Sequence, residues 1–203
     1  MSERPDLDAV ILAGGRASRL DGADKPGLVV GSQSLAAAVA SAAVRAGARR
    51  VVLVGPRRPG LAPIAPPAGL VFTREDPPGA GPVPALRAGL GQARAPWVAV
   101  LAADLPFLRA RHLHAILDAA TEAGRGALLA DDTGRAQWLT GCWPLARLRS
   151  ALAVYQGASL GGLLGPLGPV LVRAPPGAGE PPPWLDCDTP AQLAAARAWP
   201  GIR

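Results

Sequence analysis

The residues with most capacity for chemistry sit in LAGGRASRLDGADK, Leu12 to Lys25, directly after the apolar run Ala9-Val10-Ile11. The glycine pair Gly14-Gly15 removes side chains where an anion must approach and leaves backbone N–H groups to point at it. Arg16, Arg19 and Lys25 add cations over the next ten residues, a match for a triphosphate carrying about four negative charges. Lys25 is the one lysine in a chain with 21 lysines and arginines. Arginine forks onto oxygens, whereas an ammonium on a flexible stem can follow a phosphorus centre as charge develops. The second residue of interest is Asp104, at the end of the apolar run WVAVLAAD. A carboxylate there can hold Mg²⁺, which bridges phosphate oxygens and neutralises charge during displacement. The alternative, a cap for a helix beginning near Leu108, places Asp104 several residues early.

These residues need a scaffold, and the chain reads as strand and helix in alternation. Ala9 to Ala13, Arg50 to Val54, Gly69 to Asp76, Trp97 to Asp104 and Gly126 to Ala130 are short apolar strands. Between them, Ser34 to Ala48, Pro82 to Ala93 and Arg109 to Gly124 read as helices, the first with Ser34 as N-cap and Gly47 near its end. AQWLTGCWPLARLRSAL reads as a strand running into a helix. Asp188 to Trp199 reads as a closing helix with Thr189 as N-cap and Pro190 at its first position. Two Pro/Gly loops, Gly55 to Gly69 and Ala174 to Trp184, interrupt the pattern. The expectation is one α/β domain over residues 1–203, built from βαβ units with a mostly parallel, Rossmann-like sheet covered on both faces. Ligands bind such sheets outside the carboxyl ends of the strands, which puts the Gly14-Gly15 loop and Asp104 on one rim.

Composition removes several function classes. The net charge is +6, but the arginines are scattered and no basic run interleaves with aromatics, so a nucleic-acid-binding face is not expected. Cys142 and Cys187 lie far apart with no CxxC, and read as plain thiols. The N-terminus MSERPDLD has no signal-peptide core, and no stretch of about 18 apolar residues occurs, so a cytoplasmic protein with no membrane span is expected. His112 and His114 have no carboxylate neighbour in sequence and read as surface or satisfied histidines. G-x-x-x-x-G-K-[ST] and G-x-G-x-x-G are both absent after the first strand, which disfavours P-loop NTPases and dinucleotide dehydrogenases.

The loop does resemble the signature L-A-G-G-x-x-x-R-[ML]-x-G-x-D-K of the GT-A-like nucleotidyltransferases, and among them most resembles the molybdenum cofactor guanylyltransferases. Three later segments agree in order: REDPPGAGPVPALRAGL, VLAADLPFL and LDCDTPAQLAAA. The resemblance implies a three-layer α/β/α sandwich of the nucleotide-diphospho-sugar transferase type. It implies transfer of GMP from GTP to the phosphate of molybdopterin, with Mg²⁺ as cofactor and pyrophosphate released. Cytidylyl transfer to molybdopterin, guanylyl transfer to a deazaflavin-cofactor precursor, and a non-catalytic nucleotide-binding protein stay open as alternatives. Other cofactor-biosynthesis proteins are implied as partners.

Carried onto this chain, the resemblance has Leu12, Ala13 and Gly14 offering backbone to the base. Gly15, Arg19 and Lys25 hold the triphosphate, with Arg19, Lys25 and Asp104 in the catalytic role. Asp76 contacts the nucleotide, with a turn residue as the competing reading. Asp104 holds Mg²⁺, joined by Asp188, for which a plain helix start remains the competing reading. Val54 stands where an asparagine is usual. Trp138, in the segment implied to wall the acceptor site, either stacks on a pterin or packs in the core.

Overall fold

The computed structural model of the chain describes residues 4–14, 24–57, 61, 64, 66–174, 176–177, 179–199 and 201. In chain order, β1 (Leu7–Leu12) leads to a small hairpin of β2 (Val29–Val30) and β3 (Gln33–Ser34), then α1 (Leu35–Arg45) and β4 (Ala48–Val54). β5 (Leu70–Thr73), α2 (Pro82–Gln92), β6 (Trp97–Ala102), α3 (Ala110–Ala123) and β7 (Ala127–Ala130) follow. The last part holds β8 (Ala136–Pro144), α4 (Leu145–Val154), α5 (Leu160–Leu164), β9 (Val170–Arg173) and α6 (Pro190–Arg197). Seven of the strands form one sheet in the order β5-β4-β1-β6-β8-β7-β9. The run β5-β4-β1-β6 is parallel throughout. β8 is antiparallel to both β6 and β7, and β9 is parallel to β7.

Period-two alternation sorts the apolar residues of each strand onto two faces. Ala9, Ile11, Val51, Leu53, Ala99 and Leu101 join α1 and α3 in one core cluster. Val10, Leu12, Val52, Val54, Val98 and Val100 join α2, α4 and α5 in the other. This is the two-sided burial that near-continuous apolar strands predict. Helix α2 comes close enough to the sheet that a Cβ at Gly89 would sit 2.4 Å from Val10 Cγ1. Among the described residues no helix is long and apolar enough to cross a membrane.

The caps expected from sequence form. Ser34 Oγ accepts the Ala37 N–H at 3.2 Å. Thr189 and Gln192 close a capping box ahead of α6, with Pro190 at its first turn. The third strand is shorter than its apolar run suggests, ending at Thr73, and β6 ends at Ala102, two residues before Asp104. Three elements were not anticipated: the β2–β3 hairpin, the short α5 and the edge strand β9.

In register, Leu12 pairs with both Val54 and Ala102, and Val54 with Thr73. The carboxyl ends of four adjacent parallel strands therefore finish level. Backbone bonds stitch that rim: Ala13 N–H to Val54 C=O at 2.9 Å, Gly55 N–H to Thr73 C=O at 2.9 Å and Ala103 N–H to Leu12 C=O at 3.2 Å. The fit is tight at Gly55, where φ is +148° and a Cβ would lie 2.8 Å from Ala13 O. Only glycine meets both conditions.

Candidate active site

Lys25 enters the site on a single 3₁₀ turn, Lys25–Gly27, anchored by the buried ring of Pro26. Gly27 N–H donates to Asp24 C=O at 2.9 Å and Leu28 N–H to Lys25 C=O at 3.1 Å. Asp104 sits in the turn just past β6. Ala103 behind it is pinned to Leu12, and Leu105 and Phe107 ahead of it are buried. Asp188 precedes α6, next to Cys187, which is buried in a third cluster with Val30, Leu35, Phe107 and Leu193. That cluster docks the closing helix beside the rim. The cap of α6 belongs to Thr189 and Gln192, and the Asp188 carboxylate is directed to Lys25 instead.

These three residues meet. Lys25 Nζ donates to Asp104 Oδ2 and to Asp188 Oδ1, bridging partners 79 and 163 positions away in the chain. The ammonium is the most enclosed of the three at 13 % side-chain exposure, Asp104 follows at 22 %, and Asp188 is the open edge at 43 %. Burial alone would lower the Lys25 ammonium, but the charge of Asp104 and the hydrogen bonds that Lys25 donates to Asp104 and Asp188 outweigh it and hold the group above its ordinary range. It is therefore a full positive charge at neutral pH.

A further carboxyl, Asp186, stands beside them. Burial, then the charges of Asp188 and Asp104, push it above the usual carboxylate range, with Lys25 partly offsetting them. Gln192 Nε2 donates to its Oδ1 at 3.1 Å. The cysteines read as plain thiols and are: both are free and buried, with Cys142 pushed up to about 12 and Cys187 to about 11, chiefly by burial.

The donor set fits a hard divalent cation held loosely. Asp104 and Asp188 converge on one positive charge, and all their ligating atoms are oxygen. Among the described residues no group of three or more His, Cys, Asp and Glu side chains surrounds a common point. Mg²⁺ suits such a site, because it keeps several waters and takes its remaining ligands from substrate phosphates.

The other sequence-predicted residues are placed as follows. Leu12 closes β1 with its C=O committed to Ala103, Ala13 commits its N–H to Val54, and Gly14 is exposed where the chain leaves the sheet. Gly15 and Arg19, with Arg16, lie outside the described residues. Asp76 is exposed on the loop between β5 and α2, on the same rim. Its neighbour Glu75, which sequence reasoning passed over, is buried at 7 % exposure. Nothing in the letters E-D says which of the two points inward. Trp138 is half-buried and packs on α5, where a Cβ at Gly161 would lie 3.4 Å from its indole.

Comparison with known proteins identifies the family and the fold. A family model described as the MobA-like NTP transferase domain matches residues 9–170. A molybdenum cofactor guanylyltransferase of Burkholderia lata is 34% identical over 154 residues, 75% of each chain. A phosphoenolpyruvate guanylyltransferase of Frankia casuarinae is 37% identical over 156 residues, 71% of this chain and 49% of that protein. In structure, the molybdopterin-guanine dinucleotide biosynthesis protein A of Archaeoglobus fulgidus superposes with a TM-score of 0.67 at 17% identity, over 94% of this chain and 96% of that one.

Proposed function

Because the chain belongs to the MobA-like NTP transferase family, we propose that it transfers GMP from GTP to the phosphate of molybdopterin and releases pyrophosphate. The observation that carries this reading is the bridge from Lys25 to Asp104 and Asp188 at the rim of the sheet. One ammonium between two carboxylates leaves the cluster with a net charge of about −1, an arrangement that suits a cation and phosphates arriving together. Asp104 and Asp188 would hold Mg²⁺, which supplies charge neutralisation on the triphosphate oxygens. Lys25 then exchanges carboxylate for phosphate oxygens and stabilises the charge that grows on the leaving pyrophosphate.

An oxygen of the acceptor phosphate forms a new bond to the α-phosphorus of GTP as the bond to the bridging α–β oxygen breaks. The acceptor is already ionised at neutral pH, so no residue need remove a proton. Catalysis is positioning with charge stabilisation, in keeping with a described site that lacks a nucleophilic Cys–His or Ser–His pair.

A second acceptor has specific support. The Frankia relative, 37% identical over 71% of this chain, is a phosphoenolpyruvate guanylyltransferase. Both acceptors are phosphate monoesters, and the Lys25–Asp104–Asp188 cluster serves either. The deciding experiment is pyrophosphate release with GTP or CTP, each with molybdopterin or phosphoenolpyruvate, with and without a chelator. Release with GTP and molybdopterin that stops on chelation is expected. Release with phosphoenolpyruvate alone reassigns the acceptor. Nucleotide binding without release for any pair makes the protein a non-catalytic member of its family.

A further inference from the structure

Glu75 is a buried carboxylate with an unused oxygen. It follows β5 on the rim, at 7 % exposure. Its Oε1 accepts the Gly79 N–H at 2.9 Å. A Cβ built on Gly14 would touch that same oxygen at 3.6 Å. Oε2 reaches neither solvent nor any hydrogen-bond partner. An orphaned buried acceptor is costly, and the chain carries that cost at the rim where strand ends receive ligands. The segment that follows, Asp76 to Ala80, is exposed throughout, and Gly79 and Gly81 have φ of +81° and +109°.

We propose that Glu75 reads the base of the bound nucleotide, accepting the N1–H and the 2-amino group of guanine as the strip Asp76–Ala80 gives way. This rests on the nucleotidyltransferase reading above. A carboxylate offers acceptors and no donor. Guanine alone among the four bases presents two adjacent donors, N1–H and the 2-amino group, on one edge. Cytosine and adenine each set an acceptor beside their amino group, and uracil flanks its single N–H with two carbonyls. Any base but guanine leaves the carboxylate facing an acceptor or unpaired, so Glu75 selects GTP by rejecting the others. The backbone of residues 12–14 cannot do this through the atoms already spent on the sheet, the Leu12 C=O and the Ala13 N–H.

The test is titration of the whole chain with GTP, inosine triphosphate and CTP in the presence of Mg²⁺, for the wild type and for Glu75→Gln. The amide keeps an acceptor for Gly79 and turns a donor toward the base. The wild type is expected to bind GTP about tenfold tighter than inosine triphosphate, which lacks the 2-amino group. Glu75→Gln is expected to lower the GTP-over-CTP preference by about a hundredfold. An equal loss for all three nucleotides would make Glu75 a support for the Gly14 backbone and overturn the proposal, as would an unchanged preference. Should Glu75→Gln not fold, the wild-type ratio decides: equal affinity for GTP and inosine triphosphate also overturns it. Wild-type preference for CTP removes the base assignment while leaving nucleotidyl transfer intact. No binding of any triphosphate by the wild type, with Lys25→Ala indistinguishable from it, removes the parent reading itself.

Discussion

The two ends of β1 treat carboxylates in opposite ways. At the amino end Asp8, 2 % exposed, is saturated by backbone. Its Oδ1 accepts Arg50 N–H at 3.1 Å, and its Oδ2 accepts Arg94 N–H at 2.6 Å and Ala95 N–H at 2.9 Å. Those bonds tie β1 to β4 and to the turn before β6. At the carboxyl end Asp104 and Asp188 share one ammonium from a loop, and Glu75 keeps an oxygen with nothing to bond. A polar group closed by backbone serves the fold and has no capacity left for a ligand. One closed by a mobile side chain, or left open, can change partners without unfolding the sheet. Chemistry at the rim and stability at the foot should therefore separate under mutation.

The largest expected effect is at the rim. Lys25→Ala and Asp104→Ala should each cut pyrophosphate release by at least a hundredfold, which is at least about 2.7 kcal/mol of transition-state stabilisation. The urea midpoint should move little, since both side chains are partly exposed and held by one another. Near-normal turnover in either variant would break the comparison at its chemical end.

Asp8→Ala should do the reverse. It removes the acceptor of three backbone N–H groups, that of Ala95 buried and those of Arg50 and Arg94 partly so, and should cost roughly 3 kcal/mol of folding free energy, read from urea unfolding. The folded fraction should bind GTP as the wild type does. A parallel loss of nucleotide affinity would mean that the two ends of the sheet are coupled.

How far this division is legible in the sequence depends on the reach of each signal. β1, β6 and the capped starts of α1 and α6 follow from local pattern: apolar runs, Ser34, and Thr189-Pro190 with Gln192. α5 is LGGLL, and two glycines in five residues leave little helix propensity, so Ser159 and packing against Trp138 decide it. β9 is four residues between Pro/Gly segments, alternately half-buried and exposed at the sheet edge, and it takes its conformation from β7. The strand-end rule puts Gly14 and Asp104 on one rim. The meeting of Lys25 with Asp188 spans 163 positions and depends on where α6 docks, which no local pattern encodes. Glu75 is further from reach, because its burial is set by the turn through Gly79.

Asp188 sharpens the comparison by separating two roles in neighbouring residues. With the cap supplied by Thr189 and Gln192, Asp188→Asn should leave α6 and the urea midpoint unchanged. It should weaken the Mg²⁺ affinity read from turnover by about tenfold, because one of the two carboxylates proposed to hold the ion loses its charge. Thr189→Ala should do the opposite, costing about 1 kcal/mol of stability with the Mg²⁺ requirement kept. If Asp188→Asn unfolds α6 instead, Asp188 belongs to the fold.

His112 gives the smallest effect and tests a mixed case, since it opens α3 with Nδ1 closed by backbone and Nε2 buried without a hydrogen-bond partner. Its Nδ1 accepts the Arg109 N–H at 3.1 Å, and burial, reinforced by Arg111, lowers its pKa to about 4 despite an opposing pull from Glu180. The unfolded chain protonates near 6.5 and the folded one does not, so stability is intact above 6.5 and is lost as pH falls from there toward 4. The wild-type melting temperature should drop by roughly 5 °C between pH 7 and pH 5. Glutamine at this position can accept the same N–H without titrating, so His112→Gln should flatten that slope while leaving turnover at pH 7 unchanged. Equal slopes in the two proteins would show that the loss at low pH arises elsewhere. Lost turnover at pH 7 would move His112 from the fold into the chemistry, with its unpartnered Nε2 as the atom left open for it.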